Sequence, residues 1–329
     1  MASYDIVRPK VRLITANREF LRPLKASDAV QGSVVVLRHQ RQSLMVHDND
    51  AKGSTATKDT LFGDEVYVAD SMAVRARGFA ISAERLKELR DKRLRDILSD
   101  GKGREDVAVL FGGLELTAFG TETVTQILQP PVEEEHSHGW REGEALAEAW
   151  LIDAEACEFP WPFNRDLRHP RASLPGPELV GFVCDTGGDR FAFAQVKTSK
   201  ELRFPPSVVH HDKHGLVAQL TALHNDRSLK VCAVMYLGYR ATTEQSWCGR
   251  YRTAAVRYFN SDAKVVSLFG VLVRDVAPTE RDLAAAATNI ANACCPDTRV
   301  ALYGLYLPPD AIPAGPQHAA RGKRKGSQS

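Results

Sequence analysis

The 329 residues carry 43 Lys and Arg against 41 Asp and Glu, a formal net charge of +2. That balance excludes a polycation, so any nucleic-acid site must be a local basic surface. At 43% hydrophobic and 26% charged, the chain can bury a sizeable core and is not disordered overall. No apolar run approaches the roughly 18 residues of a membrane span. Met1–Asp5 shows no positive region leading into an apolar stretch, so a soluble, cytoplasmic protein without a signal peptide is expected. The six cysteines (157, 184, 232, 248, 294 and 295) form no C-x-x-C pair and no zinc framework. They read as small buried hydrophobes with free thiols.

In chain order, Ser33–Arg38 reads as a strand and Asp48–Asp59 as a polar loop. Glu65–Ala69 and Val107–Phe111 are further strand candidates. Ser82 can cap a helix from about Ala83 to Leu98, with Leu86, Leu89, Leu94, Ile97 and Leu98 on one face. Its Lys and Arg residues alternate with acids, which suits a solvated face better than a phosphate site. The Pro-Pro-Val-Glu-Glu-Glu-His run at 130–136 reads as a connector. A boundary near 135 is therefore expected, with an N-terminal α+β accessory domain at 1–135 and a second domain at 136–310.

Beyond it the order reads helix, strand, strand, helix, strand, helix, strand, helix, strand. Val231–Tyr239, Val265–Val273 and Arg299–Leu307 are near-continuous apolar runs, as strands covered on both faces require. Helices over about 244–258 and 280–293 separate them, the second with a capping box of Thr279 and Asp282. This alternation gives an α/β class with parallel central strands. Residues 311–329 read as a disordered basic tail.

Three segments carry candidate chemistry. In Gly143–Leu151, apolar residues occupy almost every side of a helix, so Glu144 and Glu148, one turn apart, are costly unless paired or bound to a metal. A salt bridge is the bland account of them. In Leu174-Pro-Gly-Pro-Glu-Leu-Val-Gly-Phe182 a turn delivers Glu178 to the start of a strand. The hairpin turn Asp185-Thr-Gly-Gly-Asp189 then leads to the strand Arg190–Ser199, where Gln195 and Lys197 share one face. An exposed edge strand would account for that pair without function.

Together these segments resemble the PD-(D/E)XK superfamily, the restriction-endonuclease-like nucleases. The matching residues are Glu144 on the helix, Glu178 at the strand start and Gln195-Val-Lys197 on the next strand; Lys213–His224, with Gln219, resembles the helix that follows. Two positions depart from the family pattern: Glu178 stands for the usual aspartate and Gln195 for the usual glutamate. The resemblance implies a mixed central sheet flanked by helices and a magnesium-dependent endonuclease, Mn²⁺ being an alternative metal. Glu144, Glu178 and Gln195 would be the metal ligands, and Lys197 would orient the attacking water or stabilise developing charge. DNA is the implied substrate, with RNA open. A role in antiviral defence beside an ATPase or helicase partner follows by analogy, and no Walker-type segment is present in this chain. The alternative is a catalytically inactive nuclease fold serving as a nucleic-acid-binding or assembly subunit.

Other residues receive blander readings. His210, His211 and His214 suit a polar helix entry or DNA contact better than a metal site. His136 and His138 fall in the connector. Trp161, between prolines, pins a loop more naturally than it stacks on a base. Cys294 and Cys295 read as the buried end of a helix. Arg321–Lys325 suits a solubilising tail or non-specific phosphate binding.

Overall fold

The structure, a computed structural model, describes residues 62–129, 139–162, 165, 176–242 and 246–313. Its strands are β1 (Asp64–Val68), β2 (Val74–Ala80), β3 (Leu179–Asp185), β4 (Gly188–Ser199), β5 (Val266–Arg274) and β6 (Arg299–Tyr306). They form one mixed sheet in the order β1-β2-β6-β5-β4-β3. The four inner strands run parallel, and β1 and β3 close the edges antiparallel. Every residue of β5 is buried, as a central strand covered on both faces must be. The class is therefore α/β, a mixed six-stranded sheet flanked by helices.

The helices are α1 (Ala83–Leu89), α2 (Arg95–Ser99), α3 (Gly101–Gly112), α4 (Ala118–Leu128), α5 (Gly139–Glu155), α6 (Ser207–His210), α7 (Leu216–Asn225), α8 (Arg227–Ala241), α9 (Cys248–Asn260) and α10 (Ala284–Ala293). On one face of the sheet, α5 and the α1–α2 segment bury Leu146, Trp150, Leu86 and Leu94 against Ala194, Val196 and Val271. On the other, α7 to α10 bury Leu220, Val234, Tyr258 and Ile290 against Phe191, Phe193, Leu268 and Leu272. Along β4, then, even-numbered residues face α5 and odd-numbered ones face α7.

Ser82 caps α1 through a bond from the Arg85 N–H at 3.2 Å. A π turn over Arg90–Leu94 joins α1 to α2. It inserts one residue, so Leu89 and Leu94, five apart, both stay on the core side.

Several expectations need correction. Val231–Tyr239 lies within α8: Asp226 caps it, and the buried Ala233, Val234, Leu237 and Ala241 follow helical spacing. Its apolar run is only half buried, and Cys232 and Tyr239 are exposed. Val107–Phe111 lies within α3. The boundary near 135 does not separate two sheets, because β1 and β2 belong to the same sheet as β6. β2 itself, Val-Arg-Ala-Arg-Gly-Phe-Ala, was not anticipated, although its buried residues alternate with arginines. Asp282 does not complete a capping box; it turns inward to Arg274. Residues 311–313 are not part of a disordered tail, since Ile312 is buried and its backbone bonds to Asp275 and Lys200; residues 314–329 lie outside the described residues. Ser33–Arg38, Asp48–Asp59, His136, His138 and Arg321–Lys325 lie outside the described residues. Among those described, no helix is long and apolar enough to cross a membrane.

Candidate active site

Gly176, flanked in sequence by two prolines, has φ +103°, a conformation that glycine adopts without strain. That turn brings Glu178 to the start of β3. Leu179 pairs with Ala194, so Glu178 arrives beside Gln195 and Val196. The Val196 N–H donates to Glu178 Oε2 at 3.3 Å, and Lys197 Nζ lies 3.5 Å from Glu178 Oε1. Gln195 is 2% exposed. Its Nε2 donates to the Gly176 carbonyl at 3.2 Å, while its Oε1 is buried without a partner among the described residues. Leaving such an acceptor unmatched costs about 1–3 kcal/mol.

Helix α5 supplies the next carboxylate. Gly143 packs on Thr198, where an added Cβ would collide with the threonine Oγ1, so glycine lets the helix approach the end of β4. Glu144 follows directly. Burial pushes its carboxyl up to about 8, the charge of Glu178 adds to the rise, and Arg141 and Lys197 oppose it. Burial also raises Glu178, against Lys197 and the backbone N–H of Val196. Glu144, Glu178 and Lys197 thus lie within electrostatic reach of one another. By alternation Gln195 and Lys197 belong to the α7 side of β4, whereas α5 covers the other side, so Glu144 meets the group at the strand end. Among the described residues, no hydrogen bond joins Glu144 to the other three.

Glu148 has other neighbours. It is 5% exposed and its Oε2 has no partner among the described residues. Burial pushes it up to about 7, Asp100 adds to the rise and Arg93 opposes it. It therefore faces the α2–α3 junction rather than Glu178. The sequence reading missed Arg141 and the Gly176 carbonyl. Arg141 stands three residues before Glu144, a spacing that puts both on one helix face, and the Pro-Gly-Pro turn marked Gly176.

The remaining candidates separate from this group. His210 ends α6, so His210 and His214 do not share a helix; the rings of exposed His211 and His214 stand 5.7 Å apart. Trp161 packs against the α7–α10 core, with the guanidinium groups of Arg240 and Arg165 over its ring at 4.6 and 5.0 Å. Cys294 and Cys295 are half-buried free thiols, and the Cys295 N–H donates to His224 Nε2 at 3.3 Å.

No cluster of three or more His, Cys, Asp or Glu side chains suited to a metal occurs among the described residues. The candidate group instead combines two carboxylates with one amide oxygen. Its amide oxygen has no donor among the described residues, and a hard cation suits such an all-oxygen set. In comparisons with known proteins, no family model matches the chain and no curated protein sequence matches it.

Proposed function

We propose that the chain is a metal-dependent nuclease with a restriction-endonuclease-like fold that hydrolyses phosphodiester bonds in DNA. The observation that carries this reading is the Glu178–Lys197 pair beside a buried Gln195 oxygen with no donor, next to a second carboxyl whose proton Glu178 helps to hold. Glu144, Glu178 and Gln195 are the residues that would hold Mg²⁺ or Mn²⁺. When bound, the ion supplies charge relief at the scissile phosphate and lowers the pKa of water.

The chain's own residues account for the rest. Lys197 stabilises negative charge developing on the phosphate or orients the attacking water. Its pairing with Glu178 holds the ammonium at the strand end. Gln195 is neutral and cannot act as a base; it fixes the Gly176 turn through its Nε2 and offers Oε1 as an acceptor. Glu144 retains its proton at neutral pH until a cation or rising pH removes it.

The test is cleavage of plasmid and single-stranded DNA, with RNA in a parallel arm, with and without Mg²⁺. Wild type should cut only with metal, and Lys197→Ala should not. Equal rates for the two proteins would remove the catalytic role of Lys197. One feature favours a second reading, a non-cleaving nucleic-acid-binding or assembly subunit: the neutral Gln195 at the position where a third carboxylate would strengthen metal binding. DNA binding without cleavage under any metal would decide for it.

A further inference from the structure

The hairpin of α3 and α4 stands apart from both cores: neither helix contains a buried residue. Its base is nevertheless fixed. Arg104 donates to the carbonyls of Ser99 at 2.6 Å and Gln129 at 2.6 Å, clasping the start of α3 to the end of α4. Asp100, at the junction of α2 and α3, accepts two bonds from Arg165 at 2.6 and 2.8 Å.

Beyond this base the surface is apolar. Val109, Leu110, Leu114, Leu116, Phe119 and Ile127 are between 40% and 80% exposed. From Val107 to Thr121 the only charged residue is Glu115. At about 150–200 Å² for each large side chain, these six expose on the order of 700 Å². The largest patch of an ordinary monomer is about 300–600 Å². A standard interface takes about 800 Å² from each partner. The three threonine hydroxyls at 121, 123 and 125 of α4 are already provided for: they donate to carbonyls one turn back at 3.1, 2.9 and 2.9 Å. Covering them costs little desolvation.

We infer that this hairpin is a dimerisation arm whose occupant is the same hairpin of a second copy. The exposed area matches what one side of a stable interface needs. An identical hairpin supplies an equal, largely uncharged surface, and a two-fold pairing closes on itself and leaves none over. Four helices packed in this way bury the apolar faces that two cannot. The inference is independent of the proposed nuclease reaction.

Sedimentation equilibrium of the full chain across the micromolar range tests it, comparing wild type with Val109→Lys/Phe119→Lys. Both substituted positions are about 80% exposed, so neither change removes core packing. The expected result is a wild-type dimer and a monomeric variant with the same circular dichroism and Tm. A wild-type monomer overturns the inference, as does a variant that remains dimeric, since another surface would then hold the copies together. If the double variant precipitates, Val109→Lys alone decides: its dimer Kd should rise at least tenfold, and an unchanged Kd overturns the inference.

Discussion

Two polar clusters sit at the ends of neighbouring parallel strands on the same face of the sheet, and they are built on opposite plans. Arg274 lies two rungs beyond the level of Lys197 in the β4–β5 ladder. Arg274 and Asp282 both have fully buried side chains, joined by two bonds of 2.7 Å from one guanidinium nitrogen. The other terminal nitrogen donates to the carbonyls of Glu201 and Arg203, and Tyr306 donates to Asp282 at 2.9 Å. One cation meets one anion, and only the arginine Nε lacks a partner among the described residues. Around Lys197 the matching is looser: two carboxyls raised by burial feel Lys197 and, at Glu144, Arg141, and one amide oxygen has no partner among the described residues. The first arrangement holds β5, β6 and the following loop together. The second leaves acceptor capacity that the chain does not use for its own stability.

The largest test breaks the closed cluster. Arg274→Ala leaves Asp282 charged and buried without its partner, and should cost about 3–5 kcal/mol in urea or thermal unfolding. Cleavage per folded molecule should be unchanged. Lys197→Ala should give the reverse: a Tm close to wild type, and DNA cleavage lower by about two orders of magnitude or more. DNA binding should weaken far less, because phosphate contacts are spread along the substrate. If Arg274→Ala folds as well as wild type, or Lys197→Ala loses most of its stability, the division between the clusters is wrong.

The next test concerns the spare acceptors. Glu178→Ala should lower Mg²⁺ affinity, measured by calorimetry, by more than the roughly tenfold that loss of an outer-shell partner costs. Excess Mg²⁺ or Mn²⁺ should partly restore cleavage. Gln195→Glu adds a carboxylate where an orphaned oxygen now stands, so Mg²⁺ should bind at least as tightly and cleavage should be kept or increased. Cleavage lost with folding, metal binding and DNA binding intact would mean that the Gln195 Nε2 bond to Gly176 matters more than its oxygen.

The closed cluster was not legible in the sequence, and its acid was assigned another role. Thr279 and Asp282 have capping-box spacing, but Thr279 accepts from the Arg281 N–H instead, and Asp282 is drawn inward by Arg274, eight residues away on a strand. Pairings of that kind depend on tertiary placement. The candidate site was more legible, because strand alternation fixes Gln195 and Lys197 and the ladder fixes Glu178 beside them. Hydrophobic periodicity misled where a run was continuous: Val231–Tyr239 fits a covered strand as well as a helix, and only the cap at Asp226 and the burial of every third or fourth residue distinguish them. The inner strand β2 was hidden because its arginines, including Arg75 bound to Glu155 and Tyr303, are paired and not solvent-facing fillers.

Glu148 sharpens the comparison with the smallest expected effect. It is buried and short of partners like the candidate site, yet the charges that move it most are those of Asp100 and Arg93. Its folded-state value of about 7 lies above its ordinary 4.5, so the folded chain holds this proton more tightly than the unfolded chain. Its contribution to stability is therefore greatest below pH 4.5 and is lost as pH rises through about 7. Glu148→Gln removes the titration. At pH 8 the variant should be more stable than wild type by on the order of 1–3 kcal/mol, and near pH 4 the two should converge. The slope that remains in the variant belongs in part to Glu144, whose value of about 8 extends it to higher pH. Mg²⁺ should flatten that remaining slope and leave the Glu148 contribution unchanged, as read from Tm against pH in chelator and in metal. If Mg²⁺ instead removes the difference between wild type and Glu148→Gln, Glu148 belongs to the metal-holding group and the assignment of Glu144 must be exchanged for it.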